Sequence, residues 1–124
     1  VTDVFAPNLA EAAQLTGESD PLRALDKLAD ICPMVIIKCG ERGAYARQGS
    51  RYWHSPAIEV AAVDTTGAGD SFNAGFLAGM INGEDVDTCL RYGNICGGLS
   101  TTRQGGTTVA ITMEELKNYN GRMV

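Results

Sequence analysis

Apolar residues follow two patterns along this chain, and the two patterns alternate. Residues 8–16, 70–81 and 85–101 repeat apolar positions at the spacing of a helix that is apolar on one face. Residues 34–38 form a continuous apolar run with β-branched side chains, which is typical of a buried parallel strand. Shorter extended runs are predicted at 2–6, 43–46, 51–54 and 58–60. Because strands and helices alternate without a linker, the pattern predicts one α/β unit over residues 1–124.

Helix boundaries are marked by residues that bond to the backbone at helix ends. The first helix is expected to stop at Gly17, and a second to begin after Asp20, which precedes Pro21. Thr112, with Glu115 three residues later, has the capping-box spacing and predicts a final helix. The predicted buried face of the second helix consists of Leu22, Leu25, Leu28, Ala29 and Cys32.

Residues 63–79 form a glycine turn that opens into an apolar helical pattern. Gly67 and Gly69 allow the backbone to bend tightly, and the helix that follows presents unpaired amides and the positive end of its dipole. Such a place attracts phosphate. Asp70 lies where these donors converge, so its carboxylate can take a proton from a hydroxyl beside a bound anion. The pattern indicates phosphoryl transfer and therefore a kinase.

Two common phosphate motifs do not fit this turn. A P-loop ends in Gly-Lys followed by Ser or Thr, and no Gly-Lys pair occurs in the chain. The dinucleotide fingerprint requires a third glycine three residues after the second, where this chain has Phe72. From the residues alone, an ordinary helix cap with packing glycines stays open as an alternative.

Residues 64–75, Asp-Thr-Thr-Gly-Ala-Gly-Asp-Ser-Phe-Asn-Ala-Gly, closely resemble the second signature of ribokinase-like (PfkB) carbohydrate kinases. Further segments at 7–11 with 15–17, at 37–44 and at 102–107 follow the order of that family. The resemblance implies a ribokinase-like three-layer α/β/α sandwich, of which this chain is the C-terminal, ATP-binding part. It also implies that the N-terminal strands, the lid and most sugar contacts are missing, so a fragment is expected. The start at Val1, without methionine, agrees with trimming.

The same resemblance implies an activity and its catalytic residues. The expected enzyme is an ATP-dependent phosphotransferase that moves the γ-phosphate of ATP to a sugar hydroxyl, with Asp70 as the base. The anion hole would consist of the backbone amides of Gly67, Ala68, Gly69 and Asp70. The isolated 124-residue chain is expected to be nearly inactive, because its sheet would have an exposed edge and its site would be half open.

Nucleotide and magnesium contacts are also implied by the resemblance. The nucleotide-binding residues that carry over from the family are Asn8, Lys38, Gly40, Gly43, Gly69 and Asn94. Asn8 and Glu11 would help to organise Mg²⁺ through water, since residues three apart share a helix face and Mg²⁺ prefers oxygen ligands. Structural alternatives stay open: a helix cap at Asn8, a solvated Glu11, a tight turn at 40–43, and a turn-capping role for Asn94.

A monovalent cation, usually K⁺, is a further implication of the resemblance. Its site would be formed by the loop before the anion hole and the turn after the penultimate helix, here Asp64, Thr66, Ser100, Arg103 and Gly105. Several of these residues would contribute backbone carbonyls. The ion would then fix the loop that presents the anion-hole amides.

Composition and charge narrow the class of partners. The formal net charge is −5 and the 10 Lys and Arg residues are dispersed, which argues against a nucleic-acid surface. No apolar run reaches the length of a membrane span, and the first residues lack a signal-peptide pattern. A soluble, cytoplasmic protein without a membrane partner is therefore expected. Its expected partners are ATP and a small sugar, and a homodimer of the full-length protein is allowed.

Several other residues are interpreted as structural. The four cysteines lack metal-binding or redox spacing and are expected to be free, mostly buried thiols: Cys32, Cys39, Cys89 and Cys96. His54, the only histidine, has no metal-binding or catalytic partner in the pattern. Tyr52 and Trp53 are expected to pack on an edge strand, and the acidic residues 84–87 to start a helix.

Three alternatives to a sugar kinase stay open. An enzyme of the same fold can phosphorylate a nucleoside or a vitamin alcohol, and composition does not exclude it. A nucleotide-binding or regulatory module without catalysis is the second alternative, although binding alone does not need Asp70. The third is that the isolated chain does neither. A sugar panel with ATP tests the first alternative, and a nucleotide titration tests the second.

Overall fold

A computed structural model of the protein describes residues 4–65, 67–102 and 112–123. The chain divides into two compact units, Val1–Ser55 and Pro56–Val124. The single α/β unit expected over residues 1–124 stays a prediction. None of the described helices has the length and apolar character that would let it traverse a bilayer.

The described residues of the first unit form four strands, two α-helices and one short 3-10 helix. These elements are β1 (Val4–Phe5), α1 (Leu9–Thr16), α2 (Pro21–Leu28), β2 (Met34–Lys38), the 3-10 helix (Gly40–Arg42), β3 (Ala44–Gln48) and β4 (Arg51–Ser55). α1 ends at Gly17, whose φ of 75° is left-handed, and the side chain of Asp20 accepts from the Arg23 amide at the start of α2. The predicted stop at Gly17 and the predicted start at Asp20 are confirmed.

The four strands form one mixed sheet in the order β1-β2-β3-β4. β2 is parallel to β1 and antiparallel to β3, and β3 is antiparallel to β4, with Tyr45 opposite His54. The predicted buried strand at 34–38 is confirmed, because residues 34–37 are buried on both faces of the sheet. Its parallel pairing is confined to its β1 side. β4 is an edge strand, as expected for Tyr52 and Trp53.

α1 and α2 cover one face of β2 and form the core of the first unit. Its buried members are Ala12, Ala24, Leu25, Leu28, Val35 and Ile37. The predicted place of Leu22 on this face is wrong, because Leu22 is 48% exposed. Pro21 is buried, and Leu22, the next residue, is rotated about 100° from it around the helix axis. This rotation turns Leu22 away from the buried face.

The described residues of the second unit form three helices, α3 (Ala68–Ile81), α4 (Val86–Ser100) and α5 (Met113–Met123). α3 and α4 approach each other closely through glycines. A Cβ atom at Gly75 would overlap the backbone carbonyl of Tyr92, and a Cβ atom at Gly93 would lie 2.7 Å from the ring of Phe72. The contact between the two helices therefore requires residues without side chains at these positions.

The starts of α4 and α5 confirm the predicted helix start at the acidic residues 84–87 and the predicted cap at Thr112. The carboxylate of Asp85 accepts from the Thr88 amide at 2.8 Å, and the hydroxyl of Thr112 accepts from the Glu115 amide at 3.1 Å. The hydrogen bond to Thr88 is the largest cause of a lowered pKa at Asp85. The acidic run at 84–87 thus starts a helix, as expected.

The predicted strand at 58–60 is wrong. These residues form neither helix nor strand, and Ile58 is buried in a cluster with Tyr92, Ile95 and Leu116. A Cβ atom at Gly98 would overlap the side chain of Ile58, so the isoleucine fills a gap beside α4. The apolar pattern at 58–60 reflects burial against helices instead of pairing in a sheet.

All four cysteines are free thiols, as predicted. Cys89 is fully buried, whereas Cys32, Cys39 and Cys96 are only half-buried. The expectation of mostly buried thiols therefore holds for one of them. Burial raises the pKa of Cys96, and it is also the largest cause of a pKa of about 11 at Cys89.

Candidate functional site

In the first unit, the candidate residues gather at the carboxyl ends of the parallel strands β1 and β2. Asn8 follows β1 and forms an isolated parallel bridge with Lys38, the last residue of β2. The Lys38 amide donates to the carbonyl of Pro7 at 3.0 Å. Ligands of open α/β sheets bind outside the carboxyl ends of parallel strands. The structure thus brings Asn8 and Lys38 together at an edge suited to a ligand.

Asn8 and Glu11 form a reciprocal capping box at the start of α1. Oδ1 of Asn8 accepts from the Glu11 amide at 2.8 Å, and Oε1 of Glu11 accepts from the Asn8 amide at 2.9 Å. The structural alternative of a helix cap at Asn8 is confirmed. Glu11 is exposed, as the alternative of a solvated side chain expects, and it also caps the helix. The box does not use Oε2 of Glu11, and a carboxylate oxygen is a ligand that hydrated Mg²⁺ accepts.

Residues 39–43 form the tight turn between β2 and β3. Gly40 and Gly43 have φ angles of 56° and 82°, a region that favours glycine. The Cys39 amide donates to the Gly43 carbonyl at 2.8 Å, and the Gly43 amide donates to the Gly40 carbonyl at 3.0 Å. Burial raises the pKa of the Cys39 thiol, and the charge of Arg42 opposes that rise. The tight turn is confirmed, and nucleotide contact by Gly40 and Gly43 stays a prediction.

In the second unit, Gly67 starts α3 in the left-handed conformation, with a φ of 79°. Gly69 and Asp70 lie in the first helical turn, where amides have no acceptor within the helix. Because the N-cap is a glycine, it has no side-chain oxygen that could accept hydrogen bonds from these amides. The Ala68 amide, by contrast, donates to the carbonyl of Thr65 at 3.2 Å. The exposed carboxylate of Asp70 thus lies in the first turn of α3, among amides that have no acceptor within the helix.

The C-terminal end of α4 holds this turn from two sides. The Thr101 carbonyl accepts from the amides of Val63 and Asp64, at 2.7 and 2.9 Å. A Cβ atom at Gly97 would lie 3.1 Å from the carbonyl oxygen of Ala68, so α4 also contacts the first residue of α3. The glycine turn and its helix are therefore positioned by packing against α4.

Two of the candidate monovalent-cation residues are described, and they lie at this junction. Asp64 bonds to Thr101, the neighbour of Ser100, and the hydroxyl of Ser100 donates to the Gly97 carbonyl at 2.7 Å. Thr66, Arg103 and Gly105 lie outside the described residues. In the part of the chain that the structure describes, no group of three or more His, Cys, Asp or Glu side chains forms a metal cluster.

Asn94 is buried on α4, and Nδ2 donates to the carbonyl of Pro56 at 3.1 Å. This bond ties the segment after β4 to the helix, which supports the structural interpretation of Asn94. Contact of Asn94 with adenine stays a prediction.

Sequence analysis missed the roles of Thr101 and Gly97. Thr101 binds Val63 and Asp64 through its backbone carbonyl, so the identity of its side chain does not indicate this role. Gly97 and Gly98 lie inside a helix, where glycine is unfavourable, and this cost was a signal of close packing.

The family profile described as pfkB family carbohydrate kinase matches residues 1–113 of the 124-residue chain. The chain belongs to this family. A sugar kinase of Archaeoglobus fulgidus described as uncharacterized is 38% identical over 94 residues, which are 75% of this chain and 37% of that protein. The 2-dehydro-3-deoxygluconokinase of Haemophilus influenzae is 36% identical over 104 residues, which are 80% of this chain and 32% of that protein. The chain thus spans about a third of the length of these curated relatives.

Solved structures agree with the family in their fold. A protein of E. coli classed as a ribokinase II, in complex with ATP and Mg²⁺, matches this pfkB-family chain with a TM-score of 0.86 and 32% identity. The match covers 98% of this chain and 40% of the E. coli chain. The expected ribokinase-like α/β fold is therefore confirmed.

Proposed function

We propose that this pfkB-family chain forms the ATP-binding part of a kinase that transfers the γ-phosphoryl group of ATP to a sugar hydroxyl. The observation that carries the proposal is the position of Asp70. Its exposed carboxylate lies in the first turn of α3, a helix that begins directly after the left-handed Gly67, and it lies beside first-turn amides that have no acceptor within the helix. A base and anion-binding amides in one turn are what phosphoryl transfer to a hydroxyl requires.

In the proposed reaction, the sugar oxygen attacks the γ-phosphorus, and the bond from that phosphorus to the β,γ-bridging oxygen of ATP breaks. Asp70 accepts the proton of the sugar hydroxyl. The amides of Gly67, Gly69 and Asp70 stabilise the charge of the migrating group, and Ala68 contributes only if its bond to Thr65 opens. ADP leaves with the electron pair of the broken bond, so charge and atoms balance.

The proposal also assigns residues to Mg²⁺, to the nucleotide and to K⁺. Glu11, through Oε2, and Asn8 would steer hydrated Mg²⁺, which supplies electrostatic stabilisation of the phosphates. Lys38, Gly40 and Gly43 would seat the nucleotide at the carboxyl end of β2, and Asn94 would contact adenine. K⁺ near Asp64 and Ser100 would stiffen the turn, together with Thr66, Arg103 and Gly105 outside the described residues.

The proposal assigns most sugar contacts to residues beyond this chain, because the chain spans only 37% and 32% of the two relatives above. We therefore expect the 124-residue chain alone to transfer little phosphate. The intact mass of the protein from its source tests this part. A mass more than twice 13.1 kDa supports a partial chain, and a mass near 13.1 kDa contradicts it.

Asp70→Asn in the protein expressed from its own gene tests the base. Turnover of ATP with a panel of sugars and nucleosides should fall by about 10²-fold or more, because the variant cannot accept the proton. Nucleotide affinity should change by less than about twofold, since Asn preserves shape and the amides are unaffected. Normal turnover in this variant contradicts the assignment.

Asp87→Asn is the matched control, because Asp87 also lies in the first turn of a helix, α4, and its only described ion pair is with Arg91 on the same helix. We expect unchanged turnover there. Transfer to nucleosides but not to sugars supports the nucleoside-kinase alternative. Nucleotide binding without any transfer in the native protein supports the non-catalytic module.

A further inference from the structure

We propose that His54 is a positioning residue for the loop at residues 39–43, and that it sets the affinity of this loop for nucleotide. The inference rests on the proposed function, which assigns Gly40 and Gly43 to nucleotide binding. It adds a role for a side chain on β4 that the reaction itself does not use. Its basis is a set of contacts within the first unit.

His54 reaches the loop from the edge strand. Nε2 of His54 lies 2.8 Å from the carbonyl oxygen of Arg42, the last residue of the 3-10 helix. A carbonyl can only accept, so Nε2 carries the proton and donates it. The imidazole also lies against Tyr45, its partner in the β3–β4 register, with ring centroids 4.4 Å apart. The strand register and the aromatic contact therefore aim the donor at the loop.

The bond from His54 completes the hydrogen bonding of one peptide group in the loop. The carbonyl of Arg42 and the amide of Gly43 belong to the same planar unit. His54 holds the carbonyl side, and the Gly40 carbonyl accepts from the amide side at 3.0 Å. Without the imidazole, the Arg42 carbonyl loses its described side-chain donor. The bond from the Gly43 amide to the Gly40 carbonyl then restrains the peptide group from one side only, next to a glycine whose backbone rotates easily.

This geometry has a consequence for ligand binding. A loop that already has its bound shape does not have to be ordered when the nucleotide arrives. Removal of one hydrogen bond that orders the loop should weaken nucleotide binding by about 3- to 10-fold. The effect should act on binding and leave global stability almost unchanged, because His54 is exposed and lies on an edge strand.

Three variants of the protein expressed from its own gene test the inference by calorimetric titration with Mg·ADP and by thermal unfolding. His54→Phe keeps a ring beside Tyr45 and removes the donor. His54→Gln keeps an amide donor at a similar reach and should restore most of the affinity. Tyr52→Phe is the matched control on the same strand, because it also keeps the ring and removes one side-chain hydrogen bond, the 2.5 Å bond to Asp26.

The expected result is weaker Mg·ADP binding in His54→Phe, recovery in His54→Gln, native affinity in Tyr52→Phe, and similar unfolding midpoints in all four proteins. Equal affinity in native protein and His54→Phe overturns the inference alone. An equal loss of affinity in Tyr52→Phe also overturns it, because the effect would then belong to β4 in general. If the native protein shows no binding of Mg·ADP, the assignment of nucleotide to this loop fails, and the inference falls with it.

Discussion

Asn8 and Glu11 each satisfy the backbone amide of the other at the start of α1, through bonds of 2.8 and 2.9 Å. This reciprocity means that the two residues proposed to steer Mg²⁺ are also required for helix capping. Their structural and functional roles can still be separated, because a glutamine supports a capping box but carries no charge.

We expect Glu11→Gln to weaken Mg²⁺-dependent nucleotide binding while changing the free energy of unfolding by less than about 0.5 kcal/mol. Asn8→Ala should instead destabilise the fold by about 1 kcal/mol, since it removes the side-chain acceptor of the Glu11 amide. Urea unfolding and nucleotide titration with and without Mg²⁺ measure the two effects. Unchanged Mg²⁺ dependence in Glu11→Gln would show that Glu11 has a capping role only.

Gly75→Ala should destabilise the protein by about 1–3 kcal/mol, because its Cβ would overlap the backbone carbonyl of Tyr92 and force α3 and α4 apart. Gly121→Ala is the matched control, because among the described residues no atom outside its own stretch of α5 lies within 4 Å of the added Cβ. There the helix propensity of alanine should make the change neutral or stabilising by up to about 1 kcal/mol. Urea denaturation compares the two, and equal stabilities would contradict the close helix contact.

Asp85 should make the stability of the protein dependent on acidic pH. Its pKa in the folded state is lowered, chiefly by the Thr88 hydrogen bond, so the folded protein favours the ionised form. The resulting stability is present above the unfolded pKa of 3.8 and is lost as pH falls through the lower folded value. Asp85→Asn keeps a capping acceptor without the charge. Its stability deficit should be visible at neutral pH and disappear in strong acid, as measured by urea midpoints; a deficit that is constant with pH would contradict this.

Cys89 should resist alkylation in the folded protein. It is 1% exposed and its pKa is about 11, mainly because burial disfavours the thiolate. At pH 8 only about one thiol in a thousand is then ionised, whereas a free cysteine with a pKa of about 8.5 is substantially ionised. Iodoacetamide labelling followed by peptide mass spectrometry should find Cys89 unmodified in buffer and modified in urea. Rapid labelling in buffer would contradict the burial of this thiol.

The features that sequence analysis predicted correctly depend on residues close together in the chain. The caps at Asp20 and Thr112, the stop at Gly17 and the turn at Gly67 each involve bonds or conformations within about four residues. Such local bonds form in nearly the same way whatever the rest of the fold. The match of residues 64–75 to a family signature also needed no structure, and the family itself was confirmed over residues 1–113.

The errors arose where one pattern has two physical causes. The apolar positions at 58–60 are consistent with a strand, but Ile58 is buried against helices instead. Leu22 belongs to an amphipathic helix, yet the face that meets β2 is centred on Ala24, Leu25 and Leu28. Hydrophobic period indicates which residues can be buried, but it does not say which of them the fold covers or against which element.

By itself, the sequence determined the local caps and turns, the family, and the candidate base at Asp70, because these rest on residue type and short spacing. Only the tertiary structure decided that His54 bonds to Arg42, 12 residues away, and that Asn94 bonds to Pro56, 38 residues away. It also decided that Thr101 holds Val63 and Asp64 through a backbone carbonyl. In each of these contacts the acceptor is a backbone carbonyl that packing brings close to a donor distant in the chain. Every residue has the same backbone carbonyl, so the sequence does not indicate which one will be the acceptor.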